Sequence, residues 1–299
     1  YRADPTKIVG ATACAECHAP AVEAWKLTHH YSTFNTMHRS PEGRAIANKM
    51  GIRRIKDESL CMRCHYTVQQ NDDGRDVTIS GVSCESCHGA AKDWIKVHSA
   101  KDDPHRLAKA AKLGMLQPSD IYHVAANCFS CHTVPEEKLV NVGGHKAGSD
   151  FELVSWLSGE VRHELQKSGG KVNAEIPIQR QRVLYIIGRS LDLEFSLRGL
   201  AKATTDGDYA QGMIARVNKA RTHLEEIEKA TGLPEIKAMV DVVTPGELKP
   251  GNEASLDKMA DTVSTNAIKL SETGDGSKWA GVDPLIPGPD KYMGTPYKP

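Results

Sequence analysis

GVSCESCHGAAKDWIKVHSAK, residues 81–101, holds Cys84 and Cys87 with His88 directly behind them, and a second histidine, His98, ten residues further on. The same five-residue pattern recurs as CAECH (Cys14, Cys17, His18), CMRCH (Cys61, Cys64, His65) and CFSCH (Cys128, Cys131, His132), so four copies use all eight cysteines. C-x-x-C-H is the attachment signature of c-type haem: two thiols add to the vinyl groups and the adjoining imidazole reaches the iron. Zinc is the rival, since paired C-x-x-C motifs build Cys₄ sites, but zinc does not require the histidine that follows. With nine histidines elsewhere in the chain, four chance placements behind C-x-x-C come to roughly one in a million. A disulfide framework would use an even count without the fixed spacing. The pattern therefore reads as four covalently bound haem c groups.

The chain has 299 residues, a quarter of them charged, which suits two domains of ordinary size. The cysteines stop at Cys131. The expected fold is mainly α: a tetrahaem cytochrome domain of short helices and loops over residues 1–170, a helical bundle or hairpin over 171–272, and an extended Pro- and Gly-rich tail over 273–299. With four phenylalanines in the chain, the porphyrins must supply much of the apolar core of the first part, which should not fold without them. The 38 basic and 38 acidic side chains cancel, and haem propionates bring the holo-protein to about −4 oxidised and about −8 reduced. Nucleic acid and anionic membranes are thereby excluded as partners. No apolar run reaches spanning length, and YRADPTKIVG at the start lacks the regions of a signal peptide. Covalent haem attachment is done outside the cytoplasm, so a periplasmic or extracellular protein with its leader removed is expected.

AVEAWKLTHHYSTFNTMH from Ala21 carries apolar and aromatic residues at helical spacing, with Pro20 at its start. NDDGRDVTISG predicts a small hairpin around Gly74. SDFELVSWLSGEVRHEL predicts a helix capped by Ser149 and carrying His163. Tyr209, Met213, Val217, Ala220, Leu224 and Ile227 form one apolar stripe closed by Gly232 and Pro234. Val183, Ile187 and Leu191 mark an earlier helix, and Leu256, Ala260, Val263, Ala267 and Leu270 a later one.

The remaining chemistry rests on the other histidines. A sixth imidazole closes a haem for electron transfer, whereas a vacant sixth position admits substrate. His223 reads as an ordinary surface or satisfied core residue of its helix, and His38 and His105 as surface residues beside Arg39 and Arg106.

The run W-K-x-T-x-H (Trp25 to His30), GVSCESCHG, the placement of His98 and the order of the four motifs together resemble the tetrahaem cytochrome c-554 family of ammonia-oxidising bacteria, over roughly Gly10 to His163. In that family the protein accepts electrons from hydroxylamine oxidoreductase, and its haems stack in close parallel and perpendicular pairs. The resemblance implies that His98 closes the first haem, His163 the third and His30 the fourth, with His29 the alternative one residue away. It also implies a five-coordinate second haem with His123 beside its open face. His145, in NVGGHKAG, has no counterpart in the family, and Gly143 and Gly144 would let its loop approach a haem. With His145 on the second iron all four haems are closed. The helical part after about residue 175 is likewise absent from the compact family member.

The reading that follows is a carrier of single electrons between redox partners, with enzyme activity left open. Its alternatives are a nitric oxide or similar nitrogen-oxide reductase at an open second haem, with His123 as proton donor, and a subunit of an extracellular cytochrome filament.

Overall fold

A computed structural model describes residues 3–299; Tyr1 and Arg2, the first of the residues read for a leader, lie outside the described residues. The chain forms two compact units: Tyr1–Asn127 with Glu160–Ala174 and Gly294–Pro299, and Cys128–Gly159 with Glu175–Met293. Regular structure is mainly helical, at 61% helix.

The first unit is built from short helices, as expected. α1 (Ala11–Lys26) breaks at His18, whose φ of −118° and ψ of 34° leave the helical region, and resumes at Pro20. Proline cannot supply the N–H of a continuing turn, so the break falls where the first motif ends. α2 (His29–Thr36) begins at Thr28, whose hydroxyl accepts from the Tyr31 N–H. α3 (Pro41–Lys49) starts at Ser40 in the same way, with proline in the first turn where no N–H is needed. α4 (Ser59–His65) carries the second motif, and β1 (Thr67–Gln70) and β2 (Asp76–Ser80) follow as an antiparallel ribbon pairing Val68 with Thr78. The predicted hairpin is thus present, turned at Gly74 with φ of 75°, and it spaces the second motif from the third. α5 (Cys84–His88), α6 (Ile95–His98) and α7 (Arg106–Lys112) follow. α8 (Ile121–His132) ends on the fourth motif, and the division between the units falls within it.

In the second unit α9 (Glu137–Asn141) and α10 (Leu153–Ser158) precede three long helices. α11 (Ile178–Ala201) is buried nearly all round, contacting α10, α12 and α14. The stripe of α12 (Asp208–Thr231) is buried at all six of the positions read from the sequence, and Gly232 ends the helix at φ of 65°. Met213, Val217, Leu224 and Ile227 each stabilise by roughly 1.5–3 kcal/mol on burial. α13 (Pro234–Asp241) starts on the proline read as a terminator, which also suits the first turn of the next helix. α14 (Glu253–Thr273) buries Leu256, Ala260, Val263, Ala267 and Leu270 as expected.

Two local expectations change. The helix read from Ser149 through Leu165 is one and a half turns long: the Glu152 carboxylate caps it at the Ser155 N–H (2.6 Å), and Gly159 leaves it with ψ of −136°. His163 therefore stands on a segment outside any helix, held where the Asn173 side chain bridges the Glu164 N–H and the Arg162 carbonyl. Nor is the segment after Thr273 simply extended: it forms 3-10 turns at Ala280–Leu285 and Pro289–Lys291. Trp279 and Val282 are buried there. A Cβ on Gly274 would lie 2.1 Å from the Trp279 ring, so the glycine admits the indole.

Candidate metal centres

In the first unit two motifs share one hydrogen-bonded frame. Glu85, the second residue of CESCH, is 1% exposed. Its carboxylate accepts from the N–H groups of Val9 (2.9 Å), Gly10 (2.8 Å) and Ala91 (2.8 Å). Gly10, at φ of 87°, is the N-cap of α1, so this buried acid ties the start of the first motif to the third. The Cys14 thiol hydrogen-bonds toward Cys84: this bond and burial push the Cys14 pKa up, and the same bond lowers that of Cys84. All eight cysteines are free thiols, the species that adds to haem vinyl groups.

The second motif sits in an apolar cluster of Cys61, Met62, Tyr66, Ala47, Ile55 and Val68. The Thr33 hydroxyl lies 2.8 Å from the His30 carbonyl and 3.0 Å from that of His65, joining α2 to this motif. Gly81 completes the junction, since a Cβ there would come 2.1 Å from the His30 carbonyl oxygen. His30 is half-buried and its pKa is lowered, chiefly by burial. His29 is exposed and donates from Nδ1 to the buried Glu160 carboxylate (2.7 Å).

The ring nitrogens speak to haem fit. Nδ1 of His88 is 3.0 Å from the Leu116 carbonyl, that of His98 2.6 Å from Ile95 O, and that of His163 2.8 Å from Val161 O. A carbonyl only accepts, so each Nδ1 carries the proton and each Nε2 keeps its lone pair for a metal. His18 Nδ1 pairs with Gln166 Oε1 at 3.1 Å.

His18 and His98 have ring centroids 6.3 Å apart with planes inclined 22°, and His88 and His163 lie 6.1 Å apart at 88°. An imidazole nitrogen binds a transition metal at about 2.0–2.1 Å. Ring bonds near 1.35 Å put that nitrogen about 1.15 Å from the ring centre. Two axial imidazoles on one metal therefore have centroids about 6.3–6.5 Å apart. Both pairs lie at or just inside that span, and each joins a motif histidine to a distant one.

In the second unit His132 Nδ1 lies 2.9 Å from the Ser149 hydroxyl, and the His132 ring lies 4.3 Å from Phe151 and 5.9 Å from Trp156. His145 is half-buried, its Nδ1 donating to the Lys146 carbonyl at 2.9 Å. It belongs to the second unit, whereas Cys61–His65 belongs to the first; His30 and His132 are divided in the same way.

His123, in the first unit, is paired with Asp120 at 2.8 Å. His223 lies beside Glu226 on α12 and His105 is exposed, as expected. His38, read as a surface residue, is half-buried with an enclosed, unpartnered Nδ1. Burial lowers its pKa, with the charges of Lys56, Arg39 and Arg44 adding to the effect. Glu85 and Ser149 were missed as supporting groups. The acid inside the third motif was a visible signal, while the serine was read only as a helix cap.

Residues 13–89 match the family model described as cytochrome c554 and c-prime. This supports the cytochrome c554 family. The chain is similar to the curated cytochrome c-554 of Nitrosomonas europaea, 23% identical over 137 residues, which are 41% of this chain and 56% of that protein. The match thus spans little more than half of that relative. No solved structure matches. Among the described residues no helix is long and apolar enough to cross a membrane.

Proposed function

We propose that this chain is a tetrahaem c-type cytochrome, exported to the periplasm or beyond, that carries single electrons between redox protein partners. The observation that carries the reading is the pair of imidazole couples, His18 with His98 and His88 with His163, each at the spacing of two ligands on one metal. Cys14, Cys17, Cys84 and Cys87 would hold these two haems, and Cys61, Cys64, Cys128 and Cys131 the other two. Haem iron supplies one-electron exchange, which needs little rearrangement when both axial positions are filled. The protein's part is to orient the ligands. The carbonyls of Leu116, Ile95 and Val161 fix three imidazoles in the Nδ1–H form, a bond that also raises the basicity of the ligating nitrogen. Trp94, 5.2 Å from His98 and edge-on, fixes that ring from the side.

His30 for the fourth iron and His145 for the second enter the proposal from the sequence. A second reading rests on the His123–Asp120 pair: a histidine beside a carboxylate is suited to deliver a proton, as a nitrogen-oxide reductase at an open second haem would require.

The test begins with the denatured mass, which must equal the polypeptide plus four haems. Electron paramagnetic resonance of the oxidised protein should show low-spin signals alone, and His98→Ala and His163→Ala should each convert one haem in four to high spin. Low-spin spectra unchanged in both variants would refute the ligand pairs. A high-spin signal in the unaltered protein with stoichiometric binding of nitric oxide would favour the reductase.

A further inference from the structure

The cysteine-free helices of the second unit carry a buried ion pair with no evident packing purpose. Asp192 of α11 is 7% exposed and bonds to Arg216 of α12. Two apolar side chains would join the helices without the cost of desolvating two charges. What the pair does supply is direction, because a guanidinium donates from a planar fork. One arm of Arg216 meets Asp192, and the other donates to the Ser149 carbonyl at 2.8 Å.

The loop has been shaped to reach that arm. Gly148, at φ of +91°, lies flush on the guanidinium, where a Cβ would come 2.6 Å from Nη1. Only glycine takes that conformation and that approach without strain. One turn away on α12, Gly212 leaves room for the Ala147 side chain, which a Cβ would meet at 2.4 Å. Ser149 then faces His132: its N–H donates to the His132 carbonyl at 2.9 Å, and its hydroxyl lies 2.9 Å from Nδ1, accepting from it once Nε2 is given to a metal.

We infer that Ser149, Arg216 and Asp192 are positioning residues for the axial histidine of the fourth haem, so that the helical unit sets the electronic character of that haem. This rests on the reading that Cys128–His132 holds a haem. The Nδ1–H bond fixes the rotation of the imidazole and makes Nε2 a stronger donor, which favours ferric over ferrous iron. Its loss raises the reduction potential.

The test uses the full-length holo-protein, with haem number read from the denatured mass and the four couples followed by potentiometric titration. Ser149→Ala should raise one couple about tenfold in its reduction equilibrium, the low end for such supporting groups, equivalent to about 59 mV for one electron. Ser149→Thr should leave it in place, since it keeps the hydroxyl. Arg216→Gln should raise the same couple, and the double variant should move it no further than Ser149→Ala alone. Ser149 is exposed, so its variants fold even where loss of the arginine does not. Four haems with every couple unmoved by Ser149→Ala would overturn the inference, as would a shift confined to Arg216→Gln. Unmodified Cys128 and Cys131 in the unaltered protein would remove the haem reading beneath it.

Discussion

Replacing Glu85 by glutamine keeps the size of the side chain and removes one acceptor. The carboxylate accepts three backbone N–H groups, those of Val9 and Ala91 on one oxygen and that of Gly10 on the other. A glutamine can keep the first two on its carbonyl oxygen, but its amide then points a donor at the third N–H. The lost charge-assisted bond is worth about 1.5–3 kcal/mol, and the orphaned N–H costs about 1–3 kcal/mol more where it is buried. Relaxation of the Val9–Gly10 segment reduces the sum, and about 3 kcal/mol is expected. For a unit of this size that lowers Tm by roughly 6–12 °C. Thermal unfolding followed by circular dichroism gives the shift, and hydrogen exchange should show lost protection at Val9, Gly10 and Ala91. A Tm within 2 °C of the unaltered protein, with those amides still protected, would refute the reasoning.

Gly81→Ala forces a Cβ onto the His30 carbonyl at 2.1 Å; overpacking of this kind costs about 1–3 kcal/mol, so a lower Tm is expected by thermal melt and, on the proposal that His30 closes a haem, a change at that haem by electron paramagnetic resonance. Burial works to raise the pKa of Glu137, but hydrogen bonds from Thr205 and Thr204 outweigh it and hold it at about 2. A depressed carboxyl stabilises above its unfolded pKa and loses that contribution as pH falls from about 4.5 towards 2. Discounted for solvent access, this is about 1 kcal/mol, and Glu137→Gln should flatten the acid limb of a stability–pH profile by that amount. Arg182 bonds Asp283 at 2.7 and 2.8 Å and the Gly276 carbonyl at 3.0 Å, so Arg182→Gln should expose the Gly276–Leu285 segment to limited proteolysis while the unaltered protein resists.

The motifs and the stripes of α12 and α14 were legible because each follows a local period. α11 was legible at Val183, Ile187 and Leu191, but not in its burial all round: Arg182, Asp192 and Glu194 are each less than a tenth exposed. Their burial depends on Asp283, Arg216 and Arg198, and two of those partners lie far along the chain. Likewise nothing near Glu85 in sequence announces Val9 and Gly10. The pairing of His18 with His98 and of His88 with His163 followed from family likeness, and that the rings of each pair lie 6.3 and 6.1 Å apart was not legible from residue spacing. The end of α10 at Gly159 was masked by apolar residues that continue the helical period beyond it, at Val161 and Leu165.

The chain passes from one unit to the other four times, after Asn127, Gly159, Ala174 and Met293. The final passage returns Gly294–Pro299 to the first unit, where the Tyr297 carbonyl accepts from Asn173 at 3.0 Å and a Cβ on Gly294 would crowd the Glu160 carboxylate that receives His29. Residues 294–299 thus belong to the same unit as the first three motifs. Haem ligation at the early motifs would have to proceed on a chain whose enclosing frame is still unfinished, and a nick at any single linker would leave neither unit able to part from the other as an intact piece.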